Sequence, residues 1–449
     1  MKKFVTYVLT GYYLLLEMII TFPIFMYGLC FKKQKNYSVV FVAASFYPPH
    51  IGGLECAGRD LATGLVKKGW KVEVLTKDDE MRARSEEMFQ GYHLTRFGPI
   101  RMESWYFTLC IFLWLLRHFR DYQTIYFLNF SYSKNRLGLF IPEVAFSWIF
   151  KTFLKKQTVL RLTGGSVERT PQYLYHTLSK WKWNLYCNSV SVFTSLSNDE
   201  YDFLVSKGLK YKTKKVFNGV NVKQYNMSAQ AKVQRKKELR LDEDKIIVGF
   251  IGRLTSRKGA DLLLRVWKRL KPENALLFLI GTSQEDMVQK SNADEVRELV
   301  NECGDSAVYI GRRDDPWNYL GLFDIMVCPY RVREGMSNTI LRGMAAKNII
   351  IASEIPGIVG LLKSGYDAIL FSEDDEVALE KILKKVINDV EKYRYLAENA
   401  FEHVKEEFPI EKVIDFYHQI FSGSFKDKTR VYKEHHLYSF EKKFDINRR

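Results

Sequence analysis

Clustered cysteine is the first thing this 449-residue sequence lacks. Its six cysteines (Cys30, Cys56, Cys110, Cys187, Cys303 and Cys328) are scattered, form no Cys-x-x-Cys pair and keep no company with histidine. That argues against a disulfide frame or a zinc ribbon and suits a reducing compartment. A Gly-x-Gly-x-x-Gly dinucleotide fingerprint is absent, and so is any recognisable nucleic-acid-binding motif. The one Asp-x-Asp, Asp242-Glu243-Asp244, falls in a turn ahead of a strand and reads as that turn. No small-x-small cleavage site follows the apolar N-terminus, and Leu29 precedes Cys30 where a lipoprotein box needs a small residue. The N-terminal run therefore reads as uncleaved.

What is present is a lopsided charge. The net +16 is concentrated in residues 1–220, which carry 30 Lys+Arg against 16 Asp+Glu, whereas the remaining 229 residues carry 38 against 36. A basic half joined to a nearly neutral half calls for an anionic surface or substrate on one side. Phe4–Phe31 is long enough to span a bilayer and is flanked by Lys2-Lys3 and Lys32-Lys33-Gln34-Lys35. Glu17 and Pro23 interrupt it, and Thr6, Thr10, Tyr13, Glu17 and Thr21 make one polar stripe, so it either spans the bilayer or lies at its surface. The heavier cationic flank on its C-terminal side places the body of the protein on the cytoplasmic face of the membrane. Trp105–Leu116 and Val144–Phe153 are apolar and end in Arg117-His118-Phe119-Arg120 and Lys155-Lys156. They suit buried core helices or segments that dip into a membrane surface. With the anchor, they favour lipid over nucleic acid as the partner.

From Tyr37 the pattern is α/β. Tyr37–Ala43 predicts a strand, Glu55–Lys67 a helix and Lys71–Leu75 a second strand, with Gly52-Gly53 between the first two. Those glycines are either a plain turn or a place where backbone approaches a phosphate or sugar closely. Further strands are expected at Thr158–Leu162 and Ser189–Ser195, with a turn at Asn218-Gly219. Lys232–Leu241 reads as a charged linker helix. A second unit follows: strand Ile246–Ile251, the loop Gly252-Arg253-Leu254 to Lys258-Gly259, and helix Ala260–Leu270. Strands are expected at Ala275–Ile280, Val308–Tyr309 and Ile325–Val327, and helices at Glu376–Val390, Glu391–Glu407 and, after Pro409, Ile410–Phe421. Residues 423–449 read as an unfolded polar tail. The domains expected are thus an anchor (1–35), two α/β halves (36–221 and 222–407), a last helix (408–422) and the tail.

The densest stretch is 325–357. Ile325–Val327 and Ile349–Ala352 are short apolar runs of the kind that parallel sheets bury on both faces. Between them Glu334-Gly335 makes a turn, and Ser337 or Asn338 is a good N-cap for a helix starting near Thr339. A helix that starts beyond a parallel strand aims free N–H groups into a crevice, a ready phosphate site. Glu334, on the loop beside it, is placed to accept hydrogen bonds from hydroxyl groups. Phosphate plus hydroxyls suggests a nucleotide-sugar.

In this order, Gly52-Gly53, Asn218-Gly219-Val220-Asn221, Gly252-Arg253-Leu254 through Lys258-Gly259, and Glu334-Gly335 make the chain resemble the family 4 retaining glycosyltransferases over about residues 37–422. The resemblance implies a GT-B fold: two Rossmann-like domains facing across a cleft, acceptor domain first and nucleotide-sugar domain second, with the last helix crossing back. It implies that Arg253 and Lys258 bind the donor diphosphate, fixed cations that stabilise the departing charge with no metal or other cofactor. It further implies that Glu334 holds the donor sugar, that Gly252, Gly335 and the amides around Ser337, Asn338, Thr339 and Ile340 receive the phosphates, and that Gly52-Gly53 close over the donor. Two positions depart from the pattern. The second Glu of the family's Glu-x7-Glu motif is Arg342 here, a donor-only side chain that cannot accept the ribose hydroxyls. Gly164-Gly165 and Asn129 stand where a His is common. The function implied is sugar transfer with retention to a lipid-linked glycan in surface polysaccharide or glycolipid assembly. The alternative is a non-catalytic protein of the same fold that binds a glycan, a nucleotide-sugar or a partner enzyme.

Overall fold

A computed structural model describes residues 37–49, 52–78, 84–98, 104–128, 142–162, 170–281, 291–311, 313, 316–331 and 336–424. The described chain forms two compact units, residues 37–217 with 413–424 and residues 218–412. The expected anchor (Phe4–Phe31), Glu334, Gly335, Asn129, Gly164-Gly165 and all but the first two residues of the 423–449 tail lie outside the described residues. Among the described residues no helix is long and apolar enough to cross a membrane.

The first unit opens with β1 (Ser38–Val42), α1 (Gly53–Lys67) and β2 (Lys71–Lys77), followed by the hairpin of β3 (Arg84–Phe89) and β4 (Tyr92–Phe97). It continues with α2 (Ser104–Arg117), β5 (Thr124–Phe127), α3 (Pro142–Thr152), β6 (Gln157–Leu162), α4 (Pro171–Thr177) and α5 (Lys180–Ser189). β7 (Val192–Ser195), α6 (Asn198–Ser206) and β8 (Thr213–Lys215) complete it. The sheet order is β3-β4-β2-β1-β5-β6-β7-β8. Only β3 is antiparallel to its neighbour; the rest are parallel.

The second unit contains α7 (Val222–Tyr225), α8 (Ala229–Glu238), β9 (Ile246–Ile251), α9 (Ala260–Leu270), β10 (Ala275–Ile280), α10 (Ser291–Cys303) and β11 (Ala307–Gly311). Then come β12 (Ile325–Cys328), α11 (Asn338–Ala345), β13 (Ile349–Ser353), β14 (Ile369–Phe371), α12 (Glu376–Asn388) and α13 (Arg394–Glu407). Its strands run parallel in the order β11-β10-β9-β12-β13-β14. Apolar runs explain the strands: every residue of β12 and β13 is buried. Ile349, Ile350 and Ile351 alone contribute about 1.5–3 kcal/mol each by leaving water. The one small residue in β9, Gly249, lies under the ring of Phe323, where an added Cβ would sit 2.1 Å from ring carbon.

The last helix, α14 (Ile410–Ser422), belongs to the first unit from Val413 onward. It buries Val413, Ile414, Phe416, Tyr417, Ile420 and Phe421. Gly64 of α1 leaves room for Ile414, since a Cβ there would lie 2.1 Å from Cδ1. The Trp70 indole N–H donates to His418 Nδ1 at 2.9 Å, and Tyr126 Oη donates to Tyr417 Oη at 2.9 Å.

Several expectations need correction. The strand expected over Ser189–Ser195 begins only at Val192, because Trp183, Tyr186 and Cys187 recur at helical spacing and carry α5 through Ser189. The linker helix expected over Lys232–Leu241 runs over Ala229–Glu238, started by Ser228 Oγ accepting from the Ala231 N–H at 3.2 Å. The hairpin β3–β4 was not legible in the sequence. α2, left open between core and membrane surface, is a core helix: Phe107, Cys110, Ile111, Leu113, Trp114 and Leu115 are all buried.

Candidate functional site

In a parallel α/β sheet, the crevice forms where the strand order reverses, beyond the carboxyl ends of the strands. In the second unit that switch lies between β9 and β12, because β10 and β11 extend one way and β13 and β14 the other. The loop after β9 carries Gly252, Arg253 and Lys258, and the loop after β12 leads to Ser337 and α11.

The two loops are tied together. The Arg331 backbone N–H donates to Arg257 O at 3.0 Å, and its guanidinium donates to Ser256 O at 3.2 Å. Gly259, with φ +69°, closes the turn before α9, and a Cβ there would sit 1.9 Å from Pro329 O. Gly252 is approached as closely: its N–H donates to Ile280 O at 3.0 Å, and a Cβ on Gly281 would lie 1.7 Å from Gly252 O. Only glycine fits at 259 and 281.

Three cations stand on this loop, Arg253, Arg257 and Lys258. Arg253 is exposed and has no ion-pair partner among the described residues. Lys258 is half-buried, its Nζ 4.0 Å from the centroid of the buried Tyr330 ring. The carboxylate nearest in sequence, Asp261, is engaged elsewhere, by Arg331 at 2.7 Å and Arg265 at 3.0 Å. Burial alone would lower the Arg331 pKa, but Asp374 and Asp261 outweigh it and raise it above the ordinary guanidinium value. Cys328, just before this loop, has its thiol pushed up to about 12 by burial and is no nucleophile at neutral pH.

Across the switch point, Ser337 caps α11 by accepting from the Ile340 N–H at 3.4 Å. Ile340's side chain is wholly buried and its amide is engaged by the cap, so it brings no polar side chain to the crevice. Asn338 and Thr339 form the first turn of α11. Asn218 Nδ2 donates to Met336 O at 3.2 Å, so Asn218 braces the residue just before the cap, although the turn expected at Asn218-Gly219 does not form. Arg342 is 3% exposed and lies with its guanidinium carbon 3.9 Å from the centroid of the Trp317 ring. The described structure therefore stacks it inside the unit. Tyr330, Arg331, Asp261 and Trp317 were missed from the sequence; Pro329-Tyr330-Arg331 directly after β12 was the available signal.

In the first unit the order reverses between β1 and β5. Gly52 and Gly53 lie at that point, in the loop after β1 and at the first residue of α1. A Cβ on Gly52 would meet Glu55 Oε2 at 1.9 Å, and Ser45 Oγ donates to Glu55 Oε1 at 2.7 Å. Arg161 of β6 is buried near the same edge. Burial opposes its charge, but Tyr126, Tyr417 and Glu55 favour it, with a net rise in pKa. Asp242-Glu243-Asp244 forms an exposed turn, with Asp242 Oδ1 accepting from the Asp244 N–H at 3.1 Å. Among the described residues no group of three His, Cys, Asp or Glu is arranged to hold a metal.

With this geometry in view, the chain can be compared with known proteins. Residues 231–403, nearly all of the second unit, match the family model described as Glycosyl transferases group 1. An uncharacterized glycosyltransferase of Methanocaldococcus jannaschii is 23% identical over 384 residues, 81% of this chain and 92% of the relative. The capsular polysaccharide biosynthesis glycosyltransferase CapM of Staphylococcus aureus is 23% identical over 193 residues, 42% of this chain and 49% of the relative. The crystal structure of Anabaena HepE in complex with UDP and glucose superposes with a TM-score of 0.67 at 18% identity, covering 86% of this chain and 99% of that one. The fold of the two parallel-sheet units is thus GT-B-like.

Proposed function

We propose that the protein is a membrane-attached glycosyltransferase that moves a sugar from a nucleotide-sugar to a lipid-linked glycan, with retention, in surface polysaccharide or glycolipid assembly. One observation carries the reading. The loops after β9 and β12 are fastened together at the switch point, with Arg253 and Lys258 on one and the start of α11 on the other. Two cations and a helix N-terminus on loops joined in this way support binding of a diphosphate. The match to group 1 glycosyltransferases, the CapM relative and the UDP-bound structural neighbour support the same substrate class.

In this reading the bond between the anomeric carbon and the diphosphate oxygen breaks, and the electron pair leaves on the nucleoside diphosphate. Arg253 and Lys258 stabilise that charge where it develops. The acceptor hydroxyl forms the new bond on the same face and passes its proton to the departing phosphate, with no protein nucleophile. Glu334 holds the donor sugar's hydroxyls. The apolar Phe4–Phe31 run and its cationic flank support attachment at the cytoplasmic face.

Transfer or donor hydrolysis by purified protein tests this. Arg253→Ala and Lys258→Ala are expected to lose about 10²–10³-fold in kcat, the loss typical of one charge-stabilising group, with folding intact. Full activity in both variants would sink the mechanism. A second reading, a non-catalytic binder of the same fold, is favoured by Arg342, which is buried against Trp317 where the family pattern has a hydroxyl-accepting Glu. Binding of a nucleotide-sugar with no turnover, unchanged in Glu334→Ala, would select it.

A further inference from the structure

In the first unit β4, β2, β1, β5, β6, β7 and β8 are all parallel, so all of them begin at one edge of the sheet. The helices between them run back and end at that same edge. The chain also enters there: Ser38, the start of β1, lies only seven Cα-to-Cα steps after Phe31, the end of the apolar run. Even fully extended, they reach only about 25 Å. If Phe4–Phe31 is held by a bilayer, this edge is the part of the first unit kept beside it.

The residues along the edge suit such a neighbour. Lys67 and Lys68 end α1, Lys71 begins β2, Lys155 follows α3, and Lys207 and Lys210 lie between α6 and β8; all six are exposed. Asp415 holds Lys68 at 2.5 Å, and Asp121 pairs with His118 at 3.0 Å. Lys67, Lys71, Lys155, Lys207 and Lys210 have no carboxylate partner among the described residues. A helix dipole accounts for lysines at helix C-termini. It does not account for the aromatic residues beside them: Phe153 is 65% exposed, Tyr211 72% and Tyr37 57%. Lys151 and Lys212 donate to the same carbonyl, Val190 O, at 2.9 and 3.4 Å, which brings the end of α3 and the 210–212 turn together. Phe153 and Tyr211 therefore flank one point on the edge.

We propose that this amino edge of the first sheet docks on an anionic lipid surface, with the lysines on headgroup phosphates and Phe153 and Tyr211 at headgroup level. The proposal builds on the anchor reading of residues 4–31 and is independent of catalysis. It has a geometric consequence: Gly52-Gly53, at the opposite end of β1, face away from the lipid, about 17 Å or more from it given a five-residue strand.

The test is hydrogen exchange of the full chain in nanodiscs of phosphatidylcholine alone or mixed with phosphatidylglycerol. Backbone amides of 153–156 and 207–212 are expected to exchange several-fold more slowly in the mixed discs. A variant combining Phe153→Ser, Lys155→Glu, Lys210→Glu and Tyr211→Ser should lose that protection, while exchange in β1, β2 and β5 of the same unit stays unchanged and shows that the unit carrying the substitutions is folded. Carbonate extraction separates the two readings. If carbonate releases the chain but anionic discs still protect the edge, the anchor reading fails and the edge stands. Equal exchange in the two discs, or protection that survives in the variant, overturns the proposal.

Discussion

The sharpest prediction concerns Gly259→Ala. Gly259 has φ +69°, a backbone conformation costing an L-residue about 1–2 kcal/mol. Its new Cβ would also lie 1.9 Å from Pro329 O. An ordinary contact is about 3.5 Å, so the loops after β9 and β12 must part by roughly 1.5 Å. A misplacement of about 1 Å at a reacting centre can cost on the order of 10²-fold in rate. Gly304→Ala is the control. It also has positive φ (+57°), but nothing lies within 4 Å of an added Cβ, and it sits between α10 and β11, away from the switch point. Calorimetry should show Gly304→Ala lowering the second unit's Tm by about 2–8 °C, the shift that 1–2 kcal/mol produces in a unit of this size, and Gly259→Ala lowering it further, because the contact with Pro329 O adds to the backbone strain. Donor turnover, by contrast, should collapse only in Gly259→Ala. If Gly259→Ala turns over donor as fast as Gly304→Ala, the two loops do not jointly form the donor site.

Two further outcomes follow from buried charges in the second unit. Asp324, at the amino end of β12, accepts from Lys232 at 2.8 Å, from Arg394 at 3.1 Å and from the Ile247 N–H at 2.9 Å. Burial pushes its carboxyl up, but these partners outweigh it and hold the pKa below the ordinary Asp value. A depressed folded pKa means stability that is present above the unfolded value of about 3.9 and lost as pH falls through the folded one. Asp324→Asn should therefore cost about 3–5 kcal/mol at neutral pH, with the gap to wild type closing in acid denaturation below about pH 4; a pH-independent gap would contradict the ion-pair account. Arg342→Met should remove the cation–π contact with Trp317 and lower stability by about 0.5–2 kcal/mol. Unchanged stability with a raised donor KM would instead show that Arg342 reaches the substrate.

Much of the fold was legible because its signals are local. β9, β12 and β13 are short apolar runs, α9 follows a Gly-terminated loop, and Ser337 caps α11 as its residue type suggests. The sequence was misleading where two local signals overlapped. Ser189-Val190-Ser191 reads as the start of a strand, but Trp183, Tyr186 and Cys187 pack as one helical face and hold the helix to Ser189. The hairpin of β3 and β4 stayed hidden for a related reason: β3 is the edge strand, and three of its six residues are exposed, which leaves little alternation to read.

The sequence by itself determined the central strands of both units and several of their helices, which residues are charged, and the order in which Gly52-Gly53, Arg253, Lys258 and the Ser337 cap occur. Those properties depend on neighbours a few residues apart. Only the tertiary structure decided that the order of strands reverses between β9 and β12, that Arg331 fastens a loop 75 residues earlier through Ser256 O, and that Arg342 lies on Trp317. The physical reason is that such contacts are set by strand pairing and close packing, which bring distant residues together without leaving a periodic trace in the sequence.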